Sequence, residues 1–360
     1  MKYNSIQPGL KEWQDTDGKK IQAHGFSVIW DENEKKYYWY GENKEFSKKG
    51  GHIWTYGIRL YSSEDFYNWK DEGFIIPPET DPFSPLEPGK CLDRPHIIYC
   101  AKTKKYVAWL KIMSGGENSQ YMTIMQSDSF KGPYEFVNKC YKPLQMDSGD
   151  FDLYVDEETG KGYYWFERPH FEMICATLNE EFTGVTGEFS IHFPDILPPY
   201  TREAPTHFMR NGKHYLFTSG TSGYYPNKTK VAVFDDYHGE YTDLGDPCIG
   251  DKAENTFCAQ ITDVIKIPGK KDLYVAVADR WKPGHNSKIM TMSTQKVMEK
   301  MFKNYQPDRT PKPEGTLLDS SEDKHTDDTY KSTYVWLPIE WEGDKPVLRW
   351  HKEWKLENYN

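Results

Sequence analysis

The chain has 360 residues, 37% of them hydrophobic, 16% aromatic and 28% charged, with a formal net charge of −10 at pH 7. That length can bury a large core in one or two domains. The acidic balance argues against nucleic acid or an anionic membrane surface as partner, since both require clustered cations, and no apolar run approaches the roughly 18 residues of a membrane helix. The opening MKYNSIQPGLKEWQDTDG has no apolar segment of a secretory signal. The expected location is cytoplasmic for the chain as it stands, and secreted or periplasmic for one whose signal has been removed. Cysteines at 91, 100, 140, 175, 248 and 258 form no C-x-x-C pair. They read as buried free thiols rather than as a disulfide framework or zinc site.

Taken in chain order, one pattern recurs: a leading polar residue, a short strand, a turn, and a second strand opening on aromatics. It appears as HGFSVIWDENEKKYYWYGE (24–42), DRPHIIYCAKTKKYVAWLK (93–111), DFDLYVDEETGKGYYWFE (150–167), EAPTHFMRNGKHYLFTS (203–219) and QITDVIKIPGKKDLYVAVADR (260–280). Between copies lie lines such as YSSEDFYNWKDEG (61–73), QSDSFKGPYEF (126–136) and VFDDYHGEYTDLG (233–245), which read as a third strand, a polar turn and a fourth strand. Tyr, Trp, Val and Ile favour strand, and Asn-Gly, Lys-Gly and Asp-Gly supply turns. Five four-stranded units at near-regular spacing predict an all-β, five-bladed propeller in a single domain over residues 1–360. KIMTMSTQKVMEKMFKN (288–304) reads as a short helix and opens a partly helical, irregular insertion over about 284–332. YVWLPIEW (334–341) has the composition to pair with the N-terminal blade and close the ring.

In a propeller the innermost strands line the axis, so the five leading residues, His24, Asp93, Asp150, Glu203 and Gln260, should meet around one ring. Three are carboxylates, and crowding like charges raises their pKa values. One use of such a ring is to satisfy backbone groups or hold a structural ion. The other is acid–base chemistry in a pocket. The reaction most often run by paired carboxylates in a cleft is glycoside hydrolysis. Trp54, Tyr225 and Trp281 lie in loops near the leaders and are candidate sugar-stacking faces, though most of the 12 Trp and 26 Tyr must be structural.

The stretches DTDG (15–18), QAHG (22–25), YYWYGENK (37–44), YSSEDFYNWKDEG, DRPHIIY, SGDFDLYVDE (148–157), REAPTHFMRNGKHYLFTSGTSGYYPN (202–227), ADRW (278–281) and YVWLPIEW resemble glycoside hydrolase family 43 across almost the whole chain. Within it they are most similar to the branch of exo-β-1,3-galactanases and related galactosidases. The resemblance implies that Glu203 is the general acid, that Asp150 orients it and tunes its pKa, and that Gln260 positions the water. Most of the family carries a base aspartate on blade one, where this chain has His24-Gly25. The branch usually has Glu-Arg-Pro where this chain has Asp93-Arg94-Pro95. His24, Asp93, Arg94, Trp54, Tyr225 and Trp281 are the expected substrate contacts, and no catalytic metal is expected. No cofactor is expected, apart from a structural calcium that the central channel could hold. The implied activity is inverting cleavage of terminal β-galactosyl units. The alternatives are a β-galactofuranosidase or α-L-arabinofuranosidase of the same family and, from another class, a non-catalytic carbohydrate-binding propeller.

Overall fold

In the computed structural model, residues 2–113, 120–194, 196–314 and 325–360 are described. They form five antiparallel sheets. Blade one comprises His24–Asp31, Lys36–Glu42, Ile58–Ser63 and Lys70–Ile76; blade two Cys91–Cys100, Lys105–Met113, Gln120–Ser127 and Glu135–Tyr141. Blade three comprises Phe151–Val155, Gly162–Arg168, Glu172–Leu178 and Val185–His192; blade four Arg202–Arg210, Lys213–Gly220, Lys230–Phe234 and Thr242–Gly245. Blade five comprises Gln260–Lys266, Tyr274–Arg280, Thr333–Glu342 and Lys345–Arg349, with Cys248–Ile249 added in parallel at its outer edge. The innermost strands touch in a closed cycle from blade one through blade five and back to blade one.

The burial patterns explain the sequence signal. Inner strands are packed on both faces, as in Gly162–Arg168, where every residue is buried. They therefore read as near-continuous aromatic runs. The fourth strands have one wet face, and Lys70–Ile76 and Glu135–Tyr141 begin with alternating exposed and half-buried residues. Each junction between neighbouring blades holds its own apolar cluster. The one between blades five and one is dominated by Trp13, Trp39, Trp69, Tyr334 and Trp336. The turn Asn211-Gly212, with φ of 52° and 75°, joins Arg210 directly to its partner Lys213. That is the left-handed two-residue connection that matches hairpin twist.

The closing strand departs from expectation. Thr333–Glu342 pairs with Tyr274–Arg280 inside blade five, not with the N-terminal blade. The insertion falls between the second and third strands of blade five, so the C-terminal run is needed to complete that sheet. The ring is joined instead by side-chain-to-backbone bonds: Val28 N–H donates to Asp263 (2.9 Å) and Gly25 N–H to Asp279 (2.7 Å). Outside the blades, Ile6 and Trp354 exchange two backbone bonds. The insertion's helix runs Lys288–Met301 and is capped by Ser287, whose Oγ accepts from Met290 N–H. The insertion's residues 315–324 lie outside the described residues. No disulfide joins the cysteines, and no helix among the described residues is long and apolar enough to cross a membrane.

Candidate active site

Four of the five leading residues, Asp93, Asp150, Glu203 and Gln260, meet at one end of the ring, and in most blades a local backbone device lies beside the leader. In blades one, two and four the strand register shifts immediately after the leader. The residue following it, Gly25, Arg94 or Ala204, has φ near 50°. Such a bulge bends the strand and re-aims a side chain, and two of the three positions hold it without glycine, a strain typical of functional sites. Blade three pairs without a bulge.

A cavity of about 1020 Å³ opens at this end. Its lining includes Asp93, Arg94, Asp150, Glu203 and Gln260. Glu203 is buried, and its carboxyl makes no hydrogen bond to any described residue. Burial first, then the charges of Glu167 and Asp150, push its pKa well above the usual range, against the pull of Lys111 and Arg94. Asp150 goes the other way. Burial alone would raise it, but Arg94 Nε at 2.9 Å and Lys111 Nζ at 2.8 Å hold it down at about 2. Two neighbouring acids are thus driven apart in protonation, one holding its proton and one a fixed anion. Arg202, although adjacent to Glu203 in the chain, forms no ion pair with it. Its guanidinium is spent on Thr218 and the Lys228 carbonyl.

Asp93 accepts from Trp54 Nε1 at 2.7 Å and from Lys44 at 3.4 Å, while its other oxygen stands 3.7 Å from Lys111. Gln260 is held on three sides. Its Oε1 accepts from Arg94 (2.8 Å) and Trp281 Nε1 (3.1 Å), and its Nε2 donates to Ser219 Oγ (2.9 Å). Both oxygen lone pairs are therefore engaged, leaving one amide hydrogen free. An aromatic wall of Trp54, Tyr224, Trp281 and His325 lines the cavity. Trp54 lies parallel to His325 at 4.3 Å. From the insertion, Met298, Met301, Phe302 and Tyr305 form part of the lining.

Two expected contacts are misplaced. His24 is fully buried and is not part of the cavity lining. Its Nδ1 meets Asp279 at 2.7 Å, its ring lies parallel to Tyr334, and burial drives its pKa well below the usual value. It closes the ring rather than touching a ligand. Tyr225 turns outward against His285 and under Lys282. Its neighbour Tyr224 takes the inward place, because successive residues of the tight Ser222–Tyr225 turn point apart.

The sequence reading also missed a second set of polar residues. The residue opposite each leader on the second strand is Glu42, Lys111, Glu167, Ser219 or Asp279. These stand at or next to the last residue of the five repeated stretches, where one polar residue ends each aromatic run. Glu42 fills the space left by the missing blade-one side chain: a Cβ on Gly25 would lie 2.0 Å from its Oε1. That oxygen accepts from Arg94 N–H, and Oε2 sits 2.6 Å from Lys44. Burial raises Glu42 to about 8, with Lys44 opposing.

A propeller whose mouth holds a sheltered carboxyl that keeps its proton beside a fixed carboxylate, walled by aromatic rings, has the groups that glycoside hydrolysis uses. The chain belongs to glycosyl hydrolases family 43, whose family model matches residues 22–344. Two solved family 43 β-1,3-galactosidases are similar. One is 26% identical with a TM-score of 0.78 and covers 99% of this chain; this chain spans 65% of its length. The other, solved with galactodeoxynojirimycin, is 27% identical with a TM-score of 0.75, covering 98% of this chain and 100% of its own. An exo-β-1,3-galactanase from Phanerochaete chrysosporium, solved with β-1,3-galactotriose, shares the fold at 21% identity and a TM-score of 0.76, over 98% of this chain and 68% of its own. No curated protein sequence matches.

Proposed function

We propose that the protein hydrolyses terminal β-galactosyl bonds by single displacement with inversion. The observation that carries this is the pair Glu203 and Asp150, one acid holding its proton and the other fixed as an anion in the same cavity. A sugar-binding propeller has no use for that difference. Glu203 donates its proton to the glycosidic oxygen as the C1–O bond breaks. Water attacks C1 from the opposite face and gives its proton to a carboxylate. Gln260 positions that water by donating its free amide hydrogen. Its oxygen is already saturated by Arg94 and Trp281, so the proton goes to Asp93, whose Oδ2 has no hydrogen bond among the described residues. Asp150 keeps Arg94 and Lys111 in place around the acid. The aromatic wall of Trp54, Tyr224 and Trp281 suits the C–H face of a pyranose.

The galactosyl preference rests on the two galactosidases at 26% and 27% identity. The reaction as written needs no cofactor. A panel of nitrophenyl glycosides tests the reading. β-Galactopyranoside should be cleaved fastest, and Glu203→Gln should abolish cleavage of poorly activated substrates. Preference for an arabinofuranoside or galactofuranoside would reassign the substrate, and sugar binding without turnover would reject the enzyme.

A further inference from the structure

The sequence resemblance gives the tuning of the general acid to Asp150, yet the geometry leaves Asp150 little charge to spare. Its two oxygens are taken by Lys111 and Arg94 at 2.8 and 2.9 Å. Directly across the strand pair stands Glu167, whose N–H donates to the Asp150 carbonyl at 2.8 Å. Glu167 is 3% exposed. Among the described residues its carboxylate meets no lysine or arginine within ion-pair distance. Its partners are the His170 N–H at 2.8 Å and, 3.2 Å away, the His170 ring Nδ1. Side-chain donor atoms of Glu167, His170 and Glu203 lie within 4.8 Å of one another.

The chain makes room for this carboxylate deliberately. A Cβ on Gly149 would lie 2.5 Å from Glu167 Oε2 and 3.3 Å from its carbonyl oxygen, so any larger residue before Asp150 would push the Glu167 carboxylate aside. His170, at φ 66°, is held in the left-handed region while its N–H reaches Glu167. Facing Glu203 are therefore two carboxylates from blade three, the His170 imidazole, and Lys111 and Arg94 from blade two. Tyr305, from the insertion, donates to the Pro169 carbonyl at 3.0 Å and lies within reach of the Glu167 charge. Only one of the two carboxylates lacks a cation of its own.

We propose that Glu167 is a second positioning residue for this hydrolysis: its carboxylate, more than that of Asp150, is the charge against which Glu203 keeps its proton. The division of labour follows from placement. Asp150 anchors the two cations, and Glu167 supplies the repulsion that would otherwise be cancelled by them. The inference rests on the assignment of Glu203 as general acid.

The test is the pH profile of kcat/KM for wild type, Glu167→Gln and Glu203→Gln, on a substrate with a poor leaving group. Glu167→Gln should move the basic limb to lower pH. Above the limb, activity should fall about tenfold for each unit of that movement. At low pH, where Glu203 is protonated in both proteins, kcat should approach the wild-type value, a recovery that a merely structural role would not give. An infrared titration of the Glu203 carboxyl, assigned by difference against Glu203→Gln, should show the same shift. Gly149→Ala, which crowds the Glu167 carboxylate without removing charge, serves as a second variant and should also displace the limb. An unmoved limb in a folded Glu167→Gln protein overturns the inference. If Glu203→Gln itself keeps full activity, it is the acid assignment that fails instead.

Discussion

Replacing Asp150 by Asn removes the charge that two buried cations share. Lys111 and Arg94 approach it at 2.8 and 2.9 Å, with side chains 9% and 5% exposed. Breaking a buried pair by deleting one partner costs about 3–5 kcal/mol, since the other charge stays buried and unpaired. Lys111 retains Asp93 at 3.7 Å and Arg94 retains Gln260, so the lower end, about 3 kcal/mol, applies. A second figure follows from the depressed pKa that these cations impose. The folded-state value of Asp150 is about 2 against an ordinary 3.8. A depressed acid contributes stability that is present above its unfolded value and lost as pH falls through the folded one. Here that contribution is about 2 kcal/mol. The two figures agree in size. Urea unfolding at pH 7 should therefore show Asp150→Asn destabilised by about 3 kcal/mol, with the m-value unchanged. Between pH 4 and 2 the gap between the two proteins should close, as wild type loses what the variant never had. Equal stability at pH 7, or a gap independent of pH, would refute the claim that Asp150 is the anchor of these cations.

Glu203→Gln should keep the far-UV spectrum and lower kcat by roughly 10²- to 10⁴-fold on poor leaving groups, with much smaller losses on a dinitrophenyl glycoside that needs no protonation. Equal losses on both substrates would deny it the acid role. Gly25→Ala adds a methyl 2.0 Å from Glu42 Oε1 at a φ of 52°; a cost of about 1–3 kcal/mol is expected from the backbone alone, plus lost activity. Gly18→Ala, also left-handed but in open space, is the control that should lose stability and keep activity. Proton NMR early in turnover of a β-linked galactoside should show the α anomer first; first release of the β anomer would mean retention.

The propeller was legible because blades repeat and because inner strands, buried on both faces, read as aromatic runs. The mouth was half legible for the same reason. The leaders mark where each first strand begins, and the second set of polar residues marks where each second strand ends. Glu42, Lys111, Glu167, Ser219 and Asp279 share that second register, and in an antiparallel pair the residue opposite a functional side chain is its nearest neighbour. His24 was misread because a polar residue at the correct register still turns away from the cavity when a stronger partner, Asp279, waits in the wall. The turn containing Tyr224 and Tyr225 has no period, and which of the two faces inward depends on the local turn alone. The edge on which Thr333–Glu342 pairs depends on the insertion preceding it, which composition does not reveal.

Blade three carries the deeper lesson about register. Blades one, two and four spend an extra residue just after the leader, and blade five shifts one position later. The next inward layer is therefore reached three residues on, at Ser27, His96, Thr206 and Asp263. Blade three, without a bulge, reaches the same layer two residues on, at Asp152. Its contacts agree: Asp152 accepts from the His207 N–H of blade four, and its Oδ1 stands 3.4 Å from the His96 ring. Asp263 in the same layer accepts from the Val28 N–H of blade one. Two carboxylates there stitch blades together by the same bond, a structural task for Asp152, whereas Asp150 holds Lys111 and Arg94. The bulge thus separates the two tasks. In blades two and four, where it follows the leader, Asp93 and Glu203 line the mouth, while in blade one His24 is drawn into the wall by Asp279. Where it is absent, as in blade three, the leader stays in line with its strand, close to Lys111 and Arg94 of the preceding blade. That is the position an anchoring anion needs and a proton donor must avoid.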